Sequence, residues 1–141
     1  MNNPGSSSEW FSLCDRKLAD IQALVTHGSA DGAYQILAEA AECAAKGAIM
    51  RREGMNRWPD KDERPDLYSH NLVELFAASS LLDCIRDKNL TSRETRICYG
   101  TLKGLHLRRY ERRGMPRKTV RGLIEAFTND GYGLLQWLKK I

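Results

Sequence analysis

No stretch of about 18 apolar residues occurs in the chain, so no membrane-spanning helix is expected. The first eight residues lack a basic segment followed by an apolar one, which argues against a secretory signal and for a cytoplasmic protein. Four cysteines, Cys14, Cys43, Cys84 and Cys98, are scattered without a C-x-x-C pair, so the usual zinc clamp and dithiol redox motif are absent. Three of them sit among apolar or small neighbours, where a free thiol behaves as a small hydrophobe and stays inert. No His, Asp, Glu or Cys cluster has metal-ligand spacing, and neither a Gly-rich phosphate loop nor a nucleophile elbow is present. No metal and no cofactor are therefore expected. Sustained period-two alternation is missing as well, and with it any predicted sheet.

What is present suits one helical domain. The chain has 141 residues, 42% hydrophobic and 28% charged, a size and balance that support a single core but not two. Residues 1–8 are polar, with Pro4, Gly5 and three serines, and read as a disordered leader to a domain over 9–141. Ser6 and Glu9 have capping-box spacing, and Trp10, Leu13, Leu18, Ile21 and Leu24 predict a first helix over 9–26. His27-Gly28-Ser29 supplies a stop and a new start. In the second helix Tyr34, Leu37, Ala38, Ala41, Ala45, Ala48 and Ile49 advance in steps of three and four. Glu39, Glu42, Lys46 and Arg52 are left for the opposite sides or the ends. The alanine stripe lets another helix approach closely, and Gly54 ends the element.

From 55 to 69 the periodicity stops at Pro59, Pro65 and alternating charges, giving a connection of 15 residues, a length at which loops are often functional. Ser69 is the expected N-cap of a third, central helix carrying Leu72, Leu75, Phe76, Ser79, Leu82 and Ile85. Thr91 and Glu94 predict a second capping box, opening a fourth helix through Ile97, Leu102 and Leu105. Gly100 and Gly104 on it each cost about 1 kcal/mol of helix propensity, which close helix packing would offset. A further helix starts near Pro116, and Leu134, Leu135, Trp137, Leu138 and Ile141 need a hydrophobic seat after the break at 129–133. The predicted fold is all-α: an antiparallel bundle of four to five helices with a long loop between helices 2 and 3.

Charge is unevenly placed. Between residues 108 and 121, Arg108, Arg109, Arg112, Arg113, Arg117, Lys118 and Arg121 face Glu111 alone, a local +6. Because the whole chain carries +4, the remainder sums to −2, and attraction for an acidic partner is concentrated here. Arginine is the better residue for bidentate phosphate contact, and Tyr110 could stack on an exposed base. The competing explanation is a solvated turn between helices.

Two stretches carry a family resemblance. Ala40-Ala41-Glu42-Cys43-Ala44-Ala45-Lys46-Gly47-Ala48-Ile49, then a loop, then Ser69-His70-Asn71-Leu72-Val73-Glu74-Leu75, resembles the HEPN superfamily, as does Arg109-Tyr110-Glu111 ahead of Gly114 and Pro116. Those domains are helical bundles. Some resemble metal-independent endoribonucleases that use an arginine and a histidine four to six residues apart, as dimers. Others lack the pair and bind RNA or nucleotides, often beside a nucleotidyltransferase, in toxin-antitoxin, antiphage or stress systems.

Arg64 and His70 satisfy the catalytic spacing: the histidine could exchange a proton with a ribose hydroxyl while the arginine holds the phosphate. Arginine is so common here that roughly one such match arises by chance. Pro65 also pushes Arg64 toward extended backbone rather than a helix, and His70 stands where the resembling proteins place a structural histidine. The leading expectation is thus a non-catalytic RNA- or nucleotide-binding module using 108–121. The alternatives are a ribonuclease built on Arg64 and His70, and a protein-interaction subunit that pairs with itself or with a nucleotidyltransferase; a homodimer suits all three.

Overall fold

In the computed structural model the described residues are 3–105 and 116–141, and among them there are seven α-helices, one short 3-10 helix and no strand. The all-α expectation holds at that level. None of these helices is long and apolar enough to cross a membrane.

Helix α1 (Ser7–Thr26) starts where the sequence signal placed its cap: Ser6 Oγ accepts the Glu9 N–H at 3.1 Å, and Glu9 Oε2 accepts the Gly5 N–H at 2.6 Å. The return carboxylate bond thus lands one residue earlier than in a strict capping box. Gly28, at φ +84°, turns the chain into α2 (Ala30–Arg52), a backbone conformation that residues with a Cβ rarely adopt. The two helices form an antiparallel hairpin, since Ser7 Oγ bonds the Gly47 carbonyl and Lys17 bonds Glu39, on opposite sides of that turn. The approach is close: a Cβ on Gly47 would lie 2.9 Å from the Phe11 ring. That contact explains why the stripe is made of alanine and glycine.

Helix α2 is the central element. It touches α1, α3 (Leu72–Ala77), α6 (Arg117–Thr128) and α7 (Leu134–Lys140). From Ala40 to Met50 every residue except Glu42 is buried. The expectation that Lys46 faces the polar side is therefore wrong, because a helix wrapped on several sides has no polar side at that level.

The third predicted helix is two short ones, α3 and α4 (Leu81–Arg86). Ser79 Oγ bonds the Leu75 and Phe76 carbonyls, the local competition through which serine interrupts a helix. Two caps also move. Asn71, not Ser69, caps α3, its side chain accepting from Val73 N and Glu74 N, while Ser69 holds the Asn71 N–H from outside. Ser92, not Thr91, caps α5 (Arg93–Leu102), while the buried Thr91 hydroxyl bonds the Ile85 and Asp87 carbonyls. Gly100 and Gly104 have no neighbour within 4 Å of an added Cβ among the described residues, so the close packing expected of them is not seen there.

The carboxy-terminal apolar cluster finds its seat in α7. Leu134, Leu135, Trp137 and Leu138 are buried, and Arg51 and Arg52 at the end of α2 donate to the Leu138 and Ile141 carbonyls. These guanidinium groups satisfy backbone acceptors that a helix end leaves open. Phe76 stacks on Tyr99 at 4.5 Å and lies 6.4 Å from Trp137, tying α3, α5 and α7 together.

Candidate functional site

The connection between α2 and α3 does more than link them. Trp58 and Leu67 are buried, and Tyr68 donates its hydroxyl hydrogen to the Pro59 carbonyl. Pro65–Leu67 forms a 3-10 turn, which leads through Tyr68 and Ser69 to His70 just outside α3. Helices α2 and α3 touch, so the charged connection and the histidine are held against α2.

At that junction an ordered chain of polar groups runs inward. The His70 ring, 74% exposed, places Nδ1 2.6 Å from Glu42 Oε1. The other carboxylate oxygen, Oε2, lies 3.0 Å from Lys46 Nζ one turn along α2. Lys46 is 6% exposed and sits 5.1 Å from the Trp10 ring centroid and 5.5 Å from that of Trp58. The two indoles meet edge to face at 5.5 Å. Burying an ammonium is costly unless it is paired, and here one carboxylate and two indoles share the task. Glu42, only 14% exposed, accepts from both sides and is fixed in place.

An ionised carboxylate can only accept, so a neutral His70 bonded to Glu42 carries its hydrogen on Nδ1. The His70 side chain borders a groove of about 1020 Å³ running between α1, α2 and the connection. Trp10, Leu13 and Cys43 line its apolar part, and Arg16, Lys61 and Tyr68 its polar part. Arg16 and Lys61 have no ion-pair partner among the described residues, whereas Lys17 is held by Glu39. Trp10 also leaves its indole N–H without an acceptor, as does Trp58.

The second half of the expected pair is engaged elsewhere. Arg64 makes a two-pronged bond to Asp66, Nε to Oδ1 at 3.0 Å and Nη2 to Oδ2 at 2.9 Å, and Nη2 also donates to the Ala78 carbonyl. This pairing holds the Asp66 carboxyl below its ordinary range and lifts the guanidinium further. No bond joins Arg64 to His70 among the described residues, and Arg64 is not on the groove wall. Glu42, the residue that does meet His70, lies 28 positions away in sequence, beyond the reach of a short spacing motif. A carboxylate and a lysine one turn apart inside an alanine stripe were the signal that could have found it.

Of the basic segment, Arg108, Arg109, Tyr110, Arg112 and Arg113 lie outside the described residues, as does His106. Arg117, Lys118 and Arg121 are placed: all three are exposed on the first turns of α6, with no acidic partner among the described residues. Arg117 reaches across to the α1–α2 turn, where its guanidinium stands over Gly28. Helix α6 opens at Pro116 without a side-chain cap and without an acid in its first turn.

All four cysteines are free and buried. Burial pushes the Cys14 thiol up to about 12 and Cys43 to about 11, so neither is a thiolate near neutral pH. No group of three or more metal-ligating side chains occurs among the described residues. No family model, curated protein or solved structure matches the chain.

Proposed function

We propose that this chain is an HEPN-like accessory module that binds RNA or nucleotide phosphates, of the sort used in toxin-antitoxin, antiphage or stress systems. The observation that supports this most is the start of α6. Arg117 and Lys118 occupy the first turn of that helix with Arg121 just beyond, all exposed and none matched by an acid among the described residues. The positive end of a helix dipole disfavours cations, each by about 0.3–1 kcal/mol, so this placement costs stability unless an anion occupies it. Backbone N–H groups left uncapped at the same helix start point toward the same kind of ligand. The five preceding residues of interest, Arg108, Arg109, Tyr110, Arg112 and Arg113, extend the cationic run in sequence.

The direct test is anisotropy of a labelled single-stranded RNA on the full chain. Replacing Arg117, Lys118 and Arg121 together by alanine weakens binding at least tenfold on this reading; an unchanged affinity refutes it. A ribonuclease that relies on Arg64 is the weaker reading, because that guanidinium is already occupied by Asp66 and the Ala78 carbonyl. Self-association or docking to a nucleotidyltransferase draws support from one face of α5, where Ile97 is 56% exposed and Gly100 has no neighbour within 4 Å of an added Cβ among the described residues.

A further inference from the structure

We propose that the groove between α1, α2 and the 55–70 connection binds a small amphipathic monocarboxylate, an acid of about the length of octanoate, with its carboxylate at Arg16 and Lys61 and its apolar body along Trp10, Leu13 and Cys43. This is a different surface from the one that carries the RNA reading, because none of the α6 cations lines the groove. Either proposal can fail without the other.

Helix periodicity sets the shape. On α1, Trp10, Leu13 and Lys17 recur in steps of three and four, and on the antiparallel α2 so do Glu39, Cys43 and Lys46. An ion pair stands toward each end of these stripes, Lys17 with Glu39 at 2.9 Å and Lys46 with Glu42 at 3.0 Å. Leu13 and Cys43 fall between them. Trp10 and Arg16 are separated by about 9 Å along the axis of α1, so an apolar end and a cationic end stand a short acyl chain apart. The volume of about 1020 Å³ is at the upper end of the sizes that ligand sites take. Pro4 borders the groove, as does Asn3, whose amide donates to the Tyr68 hydroxyl at 3.3 Å and ties the leader to the connection there.

Charge decides the class of ligand. Each carboxylate on the wall is engaged: Glu9 by the Gly5 N–H, Glu39 by Lys17, and Glu42 by His70 and Lys46. Arg16 and Lys61 have no ion-pair partner among the described residues, and four cations against three carboxylates leave the wall one positive charge in excess when His70 is neutral. A monoanion balances that charge. A phosphate dianion exceeds it and meets three carboxylates, while a neutral or cationic amphiphile leaves Arg16 and Lys61 unmatched. Arginine offers a carboxylate a two-pronged contact, and the apolar body gains by leaving water beside Leu13 and Trp10.

The test is a nitrogen-proton NMR titration of the full chain with octanoate, run beside butanoate, 1-octanol, octyltrimethylammonium and adenosine monophosphate. Octanoate is expected to shift resonances within 10–17, 39–46 and 61–70. Butanoate is expected to bind at least about tenfold more weakly, since each buried methylene is worth about fourfold. The alcohol and the ammonium are expected to be weaker than octanoate by about tenfold as well. Arg16→Ala combined with Lys61→Ala truncates two exposed side chains and is expected to weaken octanoate about tenfold while leaving 1-octanol unchanged, a pattern that a loss of folding does not produce. Replacing Arg117, Lys118 and Arg121 by alanine is expected to leave octanoate binding as it was. Equal affinity for octanoate and 1-octanol, an octanoate affinity that the double substitution does not change, shifts centred outside the three segments, or no binding overturns the proposal. Adenosine monophosphate binding there more tightly than octanoate also overturns it, in favour of a nucleotide site.

Discussion

Replacing Glu42 by alanine tests whether the buried end of the polar chain is as interdependent as its geometry implies. The substitution leaves the Lys46 ammonium, 6% exposed, with two indole faces and no carboxylate. Removing one partner of a buried ion pair typically costs about 3–5 kcal/mol, since the surviving charge stays desolvated. Glu42 borders the open groove, so water can approach and the lower figure applies, about 3 kcal/mol. For a domain of this size that corresponds to a melting temperature lower by roughly 10 °C. The companion substitution removes the problem rather than the partner. Glu42→Ala combined with Lys46→Met places a flexible apolar chain between Trp10 and Trp58 and is expected to recover to within about 1.5 kcal/mol of the parent protein. Urea denaturation of the parent, both single variants and the double variant supplies the cycle. A loss below about 1 kcal/mol in Glu42→Ala, or no recovery in the double variant, refutes the description of Lys46 as a buried, partnered charge.

Gly47→Ala drives a Cβ to within 2.9 Å of the Phe11 ring and is expected to destabilise the α1–α2 hairpin by about 1–3 kcal/mol, read by denaturant midpoint, with Phe11→Leu relieving part of the loss. Cys14 and Cys43, raised to about 12 and 11, are expected to resist thiol reagents at pH 8 until global unfolding; labelling of either in the native protein contradicts their placement. Asp66 and Glu63, each held below its ordinary range by an arginine, stabilise the 55–70 connection above the unfolded carboxyl range and lose that contribution as pH falls through their depressed values. Hydrogen-exchange protection in the connection, taken relative to the intrinsic rate at each pH, is therefore expected to fall below about pH 4 while the α1–α2 hairpin stays protected; equal protection at pH 3 and pH 6 counts against it.

Legibility in the sequence followed the range of the interactions. Local signals were accurate: Ser6 with Glu9, the turn at Gly28, the alanine stripe of α2 and the helix after Pro116 all rest on neighbours within four residues. Where two residues could cap in tandem, Ser69 with Asn71 and Thr91 with Ser92, the pattern could not choose, because the choice is made by which side-chain oxygen the surrounding chain requires elsewhere. The break in the third helix was hidden because the Ser79 position continues the apolar period while its hydroxyl interrupts the backbone ladder. Lys46 was misplaced because periodicity reports one packed face, and α2 is packed on more than one. The candidate site was half legible: His70 was singled out, but spacing along the chain offered Arg64 as its partner, and folding supplied Glu42 instead.

The salt dependence of RNA affinity tests the proposed function most directly, because phosphate contacts release counterions in proportion to their number. Removing the three placed cations, Arg117, Lys118 and Arg121, is expected to make the slope of log affinity against log salt shallower by about 2 for single-stranded RNA. A parent slope near zero, or one that the triple substitution leaves unchanged, contradicts the account.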